Sequence, residues 1–166
     1  MSDFSINAPT KLANTKSEWV WFKGATALLE GQGVVYDSVD VTLPVLAATV
    51  ADARRTNWVK VPDAAANLFA GVCARNYSAK AGGQMIEIYV PGSVCYVLTY
   101  NVTTVIAANT ALLLSYGTVN SITGAFKLGS ATGKAGALAL QTVTGTTAWQ
   151  KVLAILETGP FEALGA

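Results

Sequence analysis

Three features of the chain predict an all-β fold. Short β-rich runs recur at close spacing, turn residues bound nearly every run, and almost no stretch reads convincingly as a long helix. The expected architecture is a single-domain β-sandwich or β-barrel-like fold of short antiparallel strands, with an N-terminal arm and little helix. The 166 residues are 52% hydrophobic and 13% charged, with a formal charge of +1. That length suits one domain with a real core.

Residues 1–17 are polar and aperiodic, so they read as an arm ahead of a β-rich domain over 18–166. In the next run Trp19 and Trp21 share one strand face, and Val20 and Phe22 share the other. Gly31-Gln32-Gly33 is a turn, and Val34-Val35-Tyr36 is a short strand closed by Asp37 and Ser38. Residues 42–56 admit two readings. Thr42 caps a helix with Pro44 in its first turn, or the segment is a long loop with one helical turn. Trp58-Val59-Lys60-Val61 is strand-like, as is the apolar run Leu68 to Arg75.

From Gln84 the chain alternates, with Met85, Glu87 and Tyr89 on one face and Ile86, Ile88 and Val90 on the other. Pro91-Gly92 then turns the chain into Val94 to Tyr100, which predicts a hairpin. Further strand signals cover Val102–Ile106, Ala111–Tyr116, Gly124–Leu128 and Gly136–Val143. Between 146 and 156, Trp149, Val152, Leu153 and Leu156 match helical spacing. The same stretch puts Val152, Ala154 and Leu156 on one strand face, and the strand is the preferred reading. No internal repeat is visible.

Composition narrows the function. An ordinary soluble domain carries about 25% charged residues, so this surface receives roughly half the usual charge. Large apolar patches mark interaction sites, which makes association the first expectation. A charge of +1 gives no field for steering to nucleic acid or to an anionic membrane. No apolar run reaches the ~18 residues of a membrane-spanning helix, and Met1-Ser2-Asp3-Phe4 does not begin like a signal peptide. Neither nucleic acid nor membrane is an expected partner.

No enzymatic constellation emerges. The chain contains no histidine, which removes Ser-His-Asp, Cys-His and histidine-metal chemistry. Asp37 and Asp40 lack the further oxygen ligands of a calcium loop, and Asp52 beside Arg54 and Arg55 reads as a local ion pair. Gly129-Ser130-Ala131-Thr132-Gly133-Lys134-Ala135 is one residue short of a phosphate-binding loop and has Ala135 where the metal-binding hydroxyl belongs. Cys73 and Cys95 sit in apolar runs and read as buried thiols, with an inter-strand disulfide as the alternative. No catalytic residue, cofactor or metal is expected. Trp19, Trp21, Phe22, Arg54, Arg55 and Trp58 are the candidate interface residues, because Trp and Arg are enriched where binding energy concentrates.

The centre of the chain carries a resemblance. Phe69-Ala70-Gly71-Val72, Tyr77-Ser78-Ala79-Lys80, Gly83-Gln84, Ile86-Glu87-Ile88 and Pro91-Gly92-Ser93-Val94-Cys95 resemble the head decoration (capsid cement) proteins of tailed bacteriophages. The likeness extends to Trp58-Val59-Lys60-Val61-Pro62 and, more loosely, to Gly136–Val143, covering roughly residues 55–143. It implies a small β-rich virion protein without catalytic residues, a homotrimer bound to major capsid protein on the outer face of the capsid. Such a protein stabilises the shell and resides in the host cytoplasm during assembly. Two rivals to this expectation are a tail or fibre module of the virion and a small-ligand or glycan-binding β-barrel that uses Trp and Tyr as stacking platforms.

Overall fold

Strands with alternating apolar residues must bury one face, and this chain does so by rolling two five-stranded sheets shut. The computed structural model describes residues 15–37, 58–63, 69–100, 105–116, 118–119, 122–128, 136–144 and 149–157, with no helix among them. The first barrel comprises β1 (Ser17–Phe22), β2 (Gly33–Tyr36), β3 (Trp58–Lys60), β4 (Phe69–Cys73) and β5 (Gln84–Tyr89), in the closed order β1-β3-β2-β4-β5. The second contains β6 (Val94–Tyr100) and β7 (Ala111–Leu114). A small hairpin of β8 (Thr118–Val119) and β9 (Ile122–Thr123) follows. The second barrel is completed by β10 (Phe126–Leu128), β11 (Ala137–Ala139) and β12 (Trp149–Leu156), in the closed order β10-β6-β12-β11-β7. The all-β expectation is met. The alternative readings at 42–56 lie outside the described residues, whereas 149–156 is a strand paired with β6 at seven positions.

The two barrels share one topology. In each, the first strand pairs antiparallel with the fifth and parallel with the third, while the second lies between the third and fourth. Even the isolated bridges correspond. Leu28↔Tyr77 joins the β1–β2 and β4–β5 connections, and Ile106↔Val143 joins their equivalents in the second barrel. A repeat that the sequence hides is therefore present in the fold. Equal topology needs only alternating apolar residues and suitable turns, which unlike sequences can satisfy. Most pairs are antiparallel as expected, and each barrel adds one parallel pair.

The predicted hairpin at Pro91-Gly92 does not form. β5 pairs with β1 and β4, and β6 pairs with β12 and β10, so this turn passes the chain between barrels. The Ser93 N–H donates to Val90 O at 3.1 Å, and Gly92 has φ +88°. Pro at the second position and a positive-φ glycine at the third describe a type II turn, which splays flanking strands where the hairpin types would align them. Ser93 then fixes the crossing. Its side chain is hydrogen-bonded to the Lys16 backbone on both its N–H and C=O, and its carbonyl accepts from Leu156 N.

Each barrel is filled with side chains. Val20, Phe22, Leu28, Val34, Val59, Ala70, Cys73, Ile86 and Ile88 pack the first. In the second, the inward residues of β6, β7, β10, β11 and β12 surround Phe126. The cores meet at β2 and β4. Val35 and Val72 are wholly buried and join the second barrel's core, although their neighbours Val34 and Cys73 belong to the first. A register shift between Val34 and Val35 resets the alternation, so β4 can serve both sides. Phe69 meets Phe126 edge-to-face, with centroids 6.2 Å apart. Gly33 donates to Gly124 O at 2.8 Å, and the buried Gln32 side chain accepts from Leu29 N and donates to Thr123 O. At Gly71 an added Cβ would stand 2.2 Å from Tyr89 O.

Two stability changes follow. Phe126→Ala should lower unfolding free energy by about 3–5 kcal/mol, and Gly71→Ala by about 3 kcal/mol, the upper end of overpacking costs. Urea titration followed by tryptophan fluorescence and far-UV circular dichroism should show one coincident transition for each variant, because the two cores share the wall of β2 and β4.

Candidate functional site

The period-two alternation of β1 settles the tryptophan cluster. Phe22 is fully buried with Val20, because consecutive residues of a strand face opposite ways. It therefore belongs to the core, and the interface expectation for it is corrected. Trp19 and Trp21 stand on the outer face, with Trp19 53% exposed. Trp58 of β3 is Trp21's parallel partner, while Met85 and Glu87 of β5 sit opposite Trp21 and Trp19. Three adjacent strands thus present Trp19, Trp21, Trp58 and the 47%-exposed Met85 on one surface. Arg54 and Arg55 lie outside the described residues.

Charged groups hold this surface in a fixed arrangement. The Arg75 guanidinium donates to the Glu87 carboxylate and lies 5.4 Å from the Trp19 ring centroid. This contact and the nearby Tyr77 phenol raise the Arg75 pKa further above its ordinary value. The Tyr77 hydroxyl accepts the Glu87 N–H at 2.6 Å, tying that strand position to the β4–β5 connection. Across the face, Lys23 Nζ lies 5.5 Å from the Trp58 ring centroid. Lys60 Nζ bonds Asp63 at 2.8 Å and lies 3.8 Å from Asp37. Exposed cation–π contacts of this kind restrict the aromatic rings before any partner arrives.

The sequence reading missed Met85, Arg75, Glu87 and Lys23. Alternation in 84–90 already placed Met85 and Glu87 together. The pairing of β5 with β1, a contact across more than 60 residues, was the part that a local pattern does not carry. Trp, Met and Arg grouped around exposed strand faces make a surface suited to burying a partner's apolar groups.

The remaining chemistry is internal. Cys73 and Cys95 are buried free thiols. Burial pushes each thiol up to about 12, so neither is a nucleophile near neutral pH. Among the described residues no group of three His, Cys, Asp or Glu side chains converges as a metal site would. In comparison with known proteins, no family model matches the chain and no curated protein matches it.

The thiols give a pH dependence. A folded pKa raised above the ordinary 9.0 stabilises the fold fully below pH 9, and that contribution falls away as pH rises towards 12. Thermal melts between pH 9 and pH 12 should therefore show a shallower loss of Tm for a Cys73→Ala, Cys95→Ala double variant than for the wild type. Equal slopes would contradict the burial of these thiols.

Proposed function

We propose that this chain is a structural virion protein that binds the outer surface of a phage capsid and stabilises the shell, with no catalytic role. The exposed, pre-ordered face of Trp19, Trp21, Trp58 and Met85 is the observation that carries this reading. The low share of charged residues and the resemblance over residues 55–143 also support it. Binding would remove this apolar area from water, at about 25 cal/mol per Å2 before ordering and association costs. A protein that binds only the assembled shell stabilises it by mass action, and many copies on one lattice act together. The expected partners are the major capsid protein and further copies of this chain as a homotrimer.

The exposed tryptophans also suit the stacking of a sugar ring, so one experiment should separate the two readings. Co-sedimentation with purified expanded capsids should show the wild type bound, with Trp19→Ala weakened by roughly 30-fold or more, as expected of a hot-spot position. Trp19 is more than half exposed, so its replacement leaves the core unaltered. Absence of wild-type binding, together with tryptophan fluorescence that changes on adding oligosaccharides, would replace the capsid reading with the glycan one.

A further inference from the structure

The shortage of charge is not shared equally between the barrels. Thirteen charged residues lie between Ser17 and Tyr89, and three between Val94 and Leu156. From Ile88 to Phe126 the chain contains no Asp, Glu, Lys or Arg. The first barrel has the same topology and carries charges throughout, so the fold itself does not demand their loss.

The outside of the second barrel is apolar in an ordered way. Val94, Ile155, Leu138 and Ala111 form a continuous row across four adjacent strands, β6-β12-β11-β7. None of the four is fully buried, whereas the intervening residues Cys95, Ala154, Ala137 and Leu112 fill the core. A second row runs beside it. Tyr96 pairs with Leu153, and Leu153 O accepts from Leu140 N at 2.8 Å. Tyr96 and Leu140 are 43% and 41% exposed. Among the described residues, the first ion pair encountered along the face is Lys151 with Glu30, beyond these rows.

We infer that the face built from Val94, Tyr96, Leu138, Leu140, Leu153 and Ile155 is where a second copy of this chain docks, leaving the tryptophan face of the first barrel for the shell. The assignment rests on the assembly reading above and divides its two contacts between two surfaces. Interfaces between identical subunits are the more apolar class, depleted of charge at their centre. A face that meets its own kind must place no like charges opposite one another, and an uncharged face meets that condition in any register. The tryptophan face has the opposite character. Arg75, Lys23, Lys60 and Glu87 around it suit a different partner that is selected by charge. Four strands spaced about 4.8 Å apart make these two rows about 14 Å wide. A strip of that width suits the dry centre of a larger interface, with polar groups at its rim.

Sedimentation velocity on the full chain, paired with co-sedimentation on expanded capsids, tests the assignment. The wild type should self-associate, and Ile155→Lys should raise the concentration needed for association by at least ~30-fold, the loss expected at a hot spot. Leu140→Lys, at a more exposed position, should do the same if Ile155→Lys fails to fold. Trp19→Ala should associate normally while losing the shell. A wild type that stays monomeric at high concentration overturns the inference, as do lysine variants that associate like the wild type. Lysine variants that lose self-association, with a wild type that ignores capsids, uphold this interface and overturn the capsid reading alone.

Discussion

Val34 and Val35 leave one short strand in opposite directions and both are wholly buried, each in a different core. This double burial of β2, repeated in β4 by Val72 and Cys73, makes two barrels into one body. Each five-stranded barrel is filled by its own side chains, and a small domain of this kind buries too little surface to be robust alone. Sharing a wall removes both outer faces of two strands from water. The buried Gln32, the Gly33–Gly124 contact and the Phe69–Phe126 ring pair then fix how the barrels meet. Because that wall closes one side of each barrel, the outer faces of β5-β1-β3 and of β6-β12-β11-β7 are left to present side chains outward.

Those two faces show how one architecture supports different surfaces. On the first, aromatic rings stand among arginine, lysine and glutamate, a surface that combines apolar area with a charge pattern. On the second, side chains of the same outward orientation are Val, Ile, Leu, Ala and Tyr, and among the described residues the ion pair Lys151–Glu30 lies at the margin. Burial of apolar area is non-directional, whereas charges select. A scarcity of ions that composition reports as one average thus resolves into two surfaces with different demands.

The strands themselves were largely legible in the residues. Alternation at Trp19–Phe22, Gln84–Tyr89 and Trp149–Leu156 identified both the strands and their inward sides, because period-two burial is a local property. Pairing was not legible, since partners such as Val20 and Ile86 are far apart in sequence. The Pro91-Gly92 turn was identified correctly as a turn and assigned the wrong consequence, because turn type decides whether flanking strands align or diverge. The repeated topology was invisible for a related reason. It is carried by strand order, and strand order leaves no residue-level period. Among the candidate interface residues, Trp19, Trp21 and Trp58 do share a surface, while Phe22 is excluded from it by the same alternation that exposes its neighbour.

Cryo-electron microscopy of expanded capsids incubated with the protein tests the account most directly. The account predicts density for Trp19, Trp21 and Trp58 against the shell, and for Tyr96, Leu138 and Ile155 against an adjacent copy. Copies lying apart on the lattice with the second barrel bathed in solvent, or shells with no bound protein at all, would contradict it.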